Sequence, residues 1–288
     1  MRSFIILVLI TCCCLEIFGQ SFYNSRKGRD VILSAGTGVS SYFGDLNDPG
    51  DIIDTKLNAN IGVQYFFNNR IAARAEFQWF QLSGDDAKSD TDGRVKRNLS
   101  FTSNNYEFNA VGIINAFEYG PRFYQRPQFN IYGFAGVGVI YFNPKAELDG
   151  EKHALQPLQT EGVDYSRVAP VIIYGGGIKY MVNPFFNVAL EAGYRLTFTD
   201  YLDDVSTTYK DNSSFEAGSV AQRLADRRPE IGLSLKEAGS KRGEPSNNDG
   251  YLIFNLKVEF YLPPDIFSLS TDRRRKAPKR NIQRRRRR

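Results

Sequence analysis

The feature that most limits the fold of this chain is an alternation of apolar and more polar residues over positions 186–198. A repeat of two is the side-chain period of a β-strand with two chemically different faces, whereas a helix would scatter these residues around its axis. Positions 251–262 repeat the pattern. In the clearer run, one face carries Phe186, Val188, Leu190, Ala192, Tyr194, Leu196 and Phe198, and the other carries Asn187, Ala189, Glu191, Gly193, Arg195 and Thr197.

Weaker versions of this alternation recur upstream, and together they predict eight strands. The predicted strands lie near 31–42, 56–67, 70–82, 105–118, 129–142, 169–182, 185–198 and 250–262. Their connections alternate in length. Three are short, at 68–69, 119–128 and 183–184, and four are long, at about 43–55, 83–104, 143–168 and 199–249. Short turns at one end and long loops at the other are typical of outer-membrane barrels.

We therefore predict an all-β fold, an eight-stranded antiparallel transmembrane up-and-down β-barrel with short periplasmic turns and long extracellular loops. An even number of strands puts both termini on the periplasmic side. The predicted runs are also long enough to cross a bilayer with tilted strands, which takes about 9–11 residues. The expected location is the bacterial outer membrane, as an integral protein.

A secreted soluble barrel such as a lipocalin alternates in the same way, so periodicity alone leaves both folds open. The two differ in which face lies inside. Strand length, loop asymmetry and the aromatic-ended last strand favour the membrane barrel, whose lumen would then hold four basic and four acidic side chains. These charges can neutralise one another in a plugged interior, since eight strands leave room only for side chains. The eight residues are Arg74, Glu76, Glu107, Lys179, Glu191, Arg195, Lys257 and Glu259.

The N-terminal segment reads as a secretory signal peptide, residues 1–19, with Arg2 before an apolar run and cleavage near Gly19–Gln20. The three cysteines, at positions 12–14, lie within it. A mature chain beginning at Gln20 then has no disulfide, thiolate metal site or cysteine nucleophile. The barrel is expected to occupy residues 20–262.

Residues 263–288 form a basic periplasmic tail, which we expect to be disordered alone because it has almost no apolar content after Leu269. Residues 20–262 hold 25 basic and 29 acidic residues, so the tail alone makes the chain basic and nucleic acid is not an expected partner. The tail is either an unstructured solubilising end or an electrostatic contact for an acidic periplasmic partner, inner-leaflet headgroups or peptidoglycan. Its basic residues are Arg273, Arg274, Arg275, Lys276, Lys279, Arg280, Arg284, Arg285, Arg286, Arg287 and Arg288.

Motifs for enzymatic chemistry are weak. The only histidine, His153, lies in a charged loop with Asp164 and Ser166 further along it, and no spacing typical of a zinc site is present. The acidic stretch 199–206 offers Asp200, Asp203 and Asp204 as weak candidate calcium ligands, and the competing interpretation is a turn in which aspartates bond nearby backbone N–H groups. We predict no enzyme, no cofactor and no small-molecule substrate.

Four groups of residues resemble one family. They are Ser41–Asn47; Arg97–Phe101 with Tyr106–Phe108; Leu155–Leu158 with Thr160–Gly162; and Glu191–Phe198 running into Thr199–Ser206. Together they are similar to the PorG-like (DUF6089) outer-membrane β-barrels of Bacteroidetes, over most of residues 31–262. The tail has no match in the family pattern.

The resemblance implies a non-enzymatic outer-membrane component of the type IX protein secretion and gliding machinery. In that family the barrel associates with a periplasmic ring built from a PorK-like lipoprotein and a PorN-like protein. The implied function is to anchor or scaffold this ring at the outer membrane, in contact with outer-membrane lipid. The alternatives are a barrel enzyme acting on lipid, and a surface adhesin or small porin.

Overall fold

The structure is a computed structural model that describes residues 30–47, 55–120 and 124–262. The predicted signal peptide and the basic tail lie outside these residues. Ten strands are present in the described part of the chain: β1 Val31–Phe43, β2 Lys56–Phe66, β3 Ile71–Asp85, β4 Ser100–Asn115, β5 Phe129–Tyr141, β6 Pro144–Leu148, β7 Glu151–Ala154, β8 Val168–Met181, β9 Phe186–Thr197 and β10 Gly250–Tyr261.

The helices of the described residues are short. Helix α1 is Asp92–Arg97 and helix α2 is Val220–Ala225, and 3₁₀ turns occur at Asp86–Lys88, Gln156–Leu158, Asn212–Ser214 and Arg228–Ile231. In this part of the chain, no helix has the length and apolar character needed to span a membrane.

Eight of the strands form a closed antiparallel barrel. The order is β3-β2-β1-β10-β9-β8-β5-β4, and β4 pairs with β3 to complete the circle. The first and last strands pair along their full length, from Ile32↔Tyr261 to Phe43↔Gly250. Closure gives each of the eight barrel strands a neighbour on both sides, so the barrel itself has no open edge. This confirms the predicted all-β, eight-stranded antiparallel barrel.

Two predicted boundaries were wrong near the long loop between the third and fourth strands. Strand β3 continues to Asp85 and β4 begins at Ser100, because the pairing runs on without interruption to Asp85↔Ser100. The hairpin β6–β7, inside the predicted loop 143–168, was also missed. It attaches to β4 through Thr102↔Lys145. Its strands of five and four residues are too short and too charged to show a clear alternation.

Asparagine side chains shape two of the short turns. The Asn68 Oδ1 atom accepts hydrogen bonds from the N–H groups of Arg70 and Ile71, both at 2.8 Å. Asn183 makes the same type of contact with Phe185 and Phe186, at 2.8 and 3.0 Å. Such bonds stabilise tight reversals because the side chain replaces a backbone acceptor. The four long connections lie at the opposite end of the barrel, as the antiparallel order requires.

The two faces of the sheet have opposite chemistry. Leu190 and Leu256 point outward and are 53% and 50% exposed, whereas Glu191 and Lys257, next to them in sequence, are 5% and 1% exposed. Large apolar side chains therefore cover the outside and ionic ones lie inside. A soluble barrel has the reverse polarity, because water would then bathe its outer face. The arrangement is that of a barrel whose surroundings are apolar.

Candidate functional site

The centre of the lumen holds a buried ion cluster contributed by four strands. The guanidinium of Arg74 on β3 makes a two-pronged contact with Glu191 on β9, at 2.7 and 2.8 Å. The ammonium of Lys257 on β10 bonds Glu191 at 2.9 Å and Glu76 at 2.6 Å. The Tyr132 hydroxyl on β5 donates to Glu191 at 3.0 Å. Two cations and two carboxylates thus share one site inside the barrel.

Two further pairs flank this cluster. Toward the short-turn end, Lys179 lies 3.1 Å from Glu259, which also accepts a 2.8 Å bond from the Asn187 amide. Toward the long-loop end, Arg195 lies 3.5 Å from Glu107, which accepts a hydrogen bond from the Tyr251 hydroxyl. The structure therefore encloses all eight ionisable residues that the alternation placed on the less apolar faces.

The lumen is therefore filled by side chains whose positive and negative charges are equal in number. Four basic and four acidic side chains, none more than 5% exposed, occupy the interior. Withdrawing each ion from water is costly, and this cost is offset only where pairing and hydrogen bonding are close to complete. A barrel of eight strands has space for its own side chains and little else. The interior is thus a packed core in which these ionic contacts lie beside buried apolar side chains such as Phe80, Ile113 and Phe134.

At the other end, the long loops fold into a compact structure that we call the loop cap, comprising residues 44–47, 86–99, 155–167 and 199–249. Arg97, at the end of α1, joins three segments of it. Its guanidinium bonds both carboxylate oxygens of Asp86 at 2.7 Å, the Asp45 carbonyl at 2.7 Å and the Arg242 carbonyl at 2.6 Å. One side chain thereby supplies donors to three separate loops.

Glu161 is the acceptor at the centre of the cap. Its carboxylate accepts bonds from the backbone N–H groups of Ser206 and Thr207, at 3.1 and 2.9 Å, and from the Thr207 hydroxyl at 2.6 Å. Arg242 lies 2.9 Å from Glu161 and also donates to the Asp204 carbonyl at 2.7 Å. The charge of the buried carboxylate is thus matched by one guanidinium and by backbone donors.

A tyrosine joins the barrel to the cap. The Tyr42 hydroxyl, at the end of β1, lies 2.7 Å from Asp203 Oδ2 and 2.8 Å from Asp249 Oδ1. A hydroxyl carries one proton, so it donates to one carboxyl and accepts from the other, which must then be protonated. Burial, reinforced by repulsion from neighbouring aspartates, raises the pKa of both Asp203 and Asp249 well above the ordinary value. The geometry and the electrostatics agree on a shared proton.

Two more carboxyl groups of the acidic stretch have raised pKa values. Burial raises the pKa of Asp200 to about 7 and that of Asp204 to about 6. Asp204 accepts hydrogen bonds from the hydroxyls of Thr160 and Tyr165, at 2.5 and 2.7 Å, which partly opposes the effect of burial. The cap therefore contains two carboxyl groups, Asp200 and Asp204, whose pKa values lie close to neutral pH.

The candidate calcium ligands Asp200, Asp203 and Asp204 are not directed to a common point. Asp203 contacts Tyr42 and accepts from the Val205 N–H at 2.9 Å, whereas Asp204 faces the third long loop. Over residues 30–47, 55–120 and 124–262, no group of three or more His, Cys, Asp or Glu side chains is arranged to hold a metal ion.

The residues considered for catalysis are also directed elsewhere. The Ser166 hydroxyl exchanges hydrogen bonds with the backbone of Val168, at 3.0 and 3.1 Å, and Asp164 accepts from the Gln156 amide at 2.8 Å. His153 lies on β7, where it pairs with Ala146. The structure does not bring these three side chains together as a nucleophile, base and orienting acid.

Sequence reasoning missed the residues that build the cap, above all Glu161, Arg242, Asp86 and Tyr42. The available signal was the set of motifs that carried the family resemblance. The structure brings parts of all four groups together at the long-loop end: Arg97 touches the Asp45 carbonyl, Glu161 binds the Ser206 N–H, and Tyr42 contacts Asp203. These motifs specify how the loops pack onto the barrel.

Fold and site together define a closed eight-stranded β-barrel with a lipid-compatible exterior, an ion-paired lumen and a folded cap at one end. The chain belongs to the family described as "Domain of unknown function (DUF6089)", whose model matches residues 14–223. This confirms the DUF6089 part of the predicted resemblance. No curated protein matches the chain.

Several solved structures are similar in fold. Neisserial surface protein A has 9% identity and a TM-score of 0.42, with 81% of this chain and 97% of that chain covered. The attachment invasion locus protein Ail of Yersinia pestis, in complex with the heparin analogue sucrose octasulfate, has 13% identity and a TM-score of 0.39, covering 80% and 97%. A major outer membrane protein from Thermus thermophilus has 10% identity and a TM-score of 0.40, covering 80% and 98%.

Proposed function

We propose that this protein is an integral outer-membrane barrel with a non-enzymatic anchoring or scaffolding function. The observation that carries the proposal is the polarity of the barrel: apolar side chains outside and a charge-balanced, filled lumen inside. The outside provides stable residence in lipid, since a closed barrel leaves no backbone group unpaired in the membrane. The filled lumen favours a function in placing other components over a function in conducting solutes.

The component to be placed is the periplasmic ring of the type IX secretion and gliding machinery, formed by a PorK-like lipoprotein and a PorN-like protein. Two observations support this assignment: membership of the DUF6089 family and the resemblance of four sequence motifs to PorG-like barrels. In this proposal the short turns and both termini face the periplasm, and the long loops face outward. The basic tail, residues 263–288, then provides a second, tethered contact to the ring.

The test is co-purification from gently solubilised envelope membranes, with the bound proteins identified by mass spectrometry. We expect the ring proteins to accompany the full-length chain. A variant in which the eleven Lys and Arg residues of positions 273–288 are changed to Gln should retain less of the ring, and added salt should weaken its contact in the unmodified protein. A control variant changes two basic residues of the cap, Arg223 and Lys210, to Gln. Absence of ring proteins from the full-length sample would contradict the anchoring function.

Planar bilayer recordings test the filled lumen separately. We expect the purified barrel to conduct no ions, because one ion-paired group lies at the centre of the lumen and one toward each end. Stable single-channel currents from the intact chain would favour the small-porin alternative. Currents that appear only in a variant such as Glu191→Gln would support the filled lumen, because that substitution removes the carboxylate that holds the central cluster together.

A further inference from the structure

The loop cap contains a strongly basic cavity that neither the anchoring function nor the lumen uses. It has a volume of about 490 Å³, and seven Lys and Arg residues line it together with two acidic residues. We call it the basic loop pocket. Ligand cavities in proteins usually enclose roughly 300–1,000 Å³, so its size fits a compact ligand larger than a single inorganic ion. Its basic side chains include Arg97, Arg228, Lys236, Lys241 and Arg242.

The back wall of this pocket is rigid. Arg97 is held by both oxygens of Asp86, and Arg242 by Glu161 and the Asp204 carbonyl. Each of these guanidinium groups is paired, so the wall itself is close to neutral. Fixed donors in such a wall need little ordering when a ligand arrives, which favours affinity.

The front of the pocket carries surplus positive charge. Arg228 donates from Nε to the Ser234 carbonyl at 3.0 Å, which is a neutral acceptor. Neither the guanidinium of Arg228 nor the ammonium of Lys236 forms an ion pair with a carboxylate of the described residues, while Lys241 pairs with Glu244. The two acidic lining residues offset only part of this charge, because Glu244 pairs with Lys241 and Asp45, which accepts the Glu244 N–H at 2.8 Å, interacts electrostatically with Arg97 and Arg94 on the back wall.

We propose that the basic loop pocket binds phosphate groups, presented either by a soluble phosphorylated compound or by the headgroup of a membrane lipid. Phosphate oxygens accept several hydrogen bonds at once, and forked guanidinium donors match them geometrically. The ligand enters against Arg228 and Lys236, with Arg97 and Arg242 behind it. This inference is independent of the ring contact, because it concerns the opposite end of the barrel from the short turns.

The test compares two sources of phosphate on the full-length protein. In one arm, calorimetry measures binding of inorganic pyrophosphate to the barrel in detergent micelles at about 0.15 M salt, where exposed charges are screened beyond roughly 8 Å. In the other, the barrel is titrated with nanodiscs that contain bisphosphorylated or dephosphorylated lipid A. The pocket variant is Arg228→Gln with Lys236→Gln. The control variant is Lys145→Gln with Lys152→Gln, which removes the same charge from a separate cavity at the same end of the barrel.

We expect the pocket variant to weaken phosphate binding by about tenfold or more, and the control by less than about twofold, since charged hydrogen bonds are the main contribution to such affinity. Pyrophosphate binding that the pocket variant loses identifies a soluble compound as the source of the phosphate. A preference for bisphosphorylated over dephosphorylated lipid A that the pocket variant loses identifies a lipid source. No phosphate-dependent binding in either arm, or an equal loss in both variants, would overturn the proposal. The circular dichroism spectrum of each variant verifies that the barrel has folded.

Discussion

Substituting Glu191 by Gln removes the acceptor at the centre of the lumen. The carboxylate receives four hydrogen bonds of 2.7–3.0 Å, two from Arg74, one from Lys257 and one from Tyr132. A glutamine keeps one acceptor oxygen and presents an NH₂ group in place of the other, so donors face donors. Arg74 and Lys257 are also left with a single carboxylate, that of Glu76.

We expect this substitution to lower the free energy of unfolding by about 3–5 kcal/mol, which is the usual effect of removing one partner of a buried ion pair. The measurement is urea-dependent unfolding in lipid vesicles, followed by tryptophan fluorescence. The matched control is Glu118→Gln, which breaks an Arg70–Glu118 pair of 2.9 Å whose side chains are 53% and 62% exposed. Exposed pairs contribute about 0–1 kcal/mol.

A charge-balanced double variant separates pairing from packing. Adding Lys257→Met to Glu191→Gln removes the excess cation, so part of the lost stability should return. An effect of Glu191→Gln no larger than that of Glu118→Gln would contradict a stabilising central ion cluster. A double variant that shows only the sum of the two single effects would contradict the coupling between Glu191 and Lys257.

Three further predictions concern the apolar outer face of the barrel, the loop cap and the strand pairing. Leu256→Arg, at the centre of the apolar outer face of the barrel, should lower the free energy of unfolding in vesicles by about 2–4 kcal/mol. Leu57→Arg, near the edge of the same face, should lower it by about 0–1 kcal/mol, so equal effects would contradict an outer face in contact with lipid. Because the folded-state pKa of Asp200 is raised to about 7, its contribution to cap stability is full below its ordinary pKa and is lost as the pH rises through 7. Hydrogen exchange of the 199–206 amides, corrected for the intrinsic effect of pH on exchange, should therefore show less protection at about pH 8 than at about pH 5, and Asp200→Asn should reduce that difference. Gly136→Ala should destabilise the barrel by about 1–3 kcal/mol, because the new methyl group would overlap the Ala110 carbonyl oxygen of β4. Gly133→Ala, whose methyl group would lie 3.8 Å from its nearest neighbour, should be close to neutral in the same unfolding assay.

The barrel strands could be predicted because alternation is a local property of the sequence. The alternation over β9 predicts both the strand and the composition of its two faces, and the alternating short and long loops predict the up-and-down order of the strands. The hairpin β6–β7 could not be found this way, because its strands of five and four residues are too short and too charged for the alternation to be recognised. Propensity is a weak guide where tertiary contacts decide.

The site was harder to predict because its partners are distant in sequence. The alternation indicates that Arg74 and Glu191 both lie on the less apolar faces of their strands. Their contact, however, joins positions 117 residues apart and depends on the radius and stagger of the closed barrel. The loop cap lacks a repeating pattern altogether. Glu161 accepts from an amide 45 residues away, so only the folded loops reveal it as an acceptor and not as one more solvated acid.

The position of Lys257 has a consequence for how the barrel is made. This residue is on β10, the last strand of the barrel, yet it bonds Glu76 on β3 and Glu191 on β9. In a sheet that lacks β10, these two carboxylates share one cation, that of Arg74. Pairing of β10 with β1 therefore closes the wall and completes the central ion cluster together. A truncated chain that ends before β10 loses Lys257 and Glu259, so its interior keeps three basic and three acidic side chains but leaves Lys179 without its carboxylate partner. Incompletely paired ions are costly to enclose, which opposes closure of a barrel that lacks its last strand.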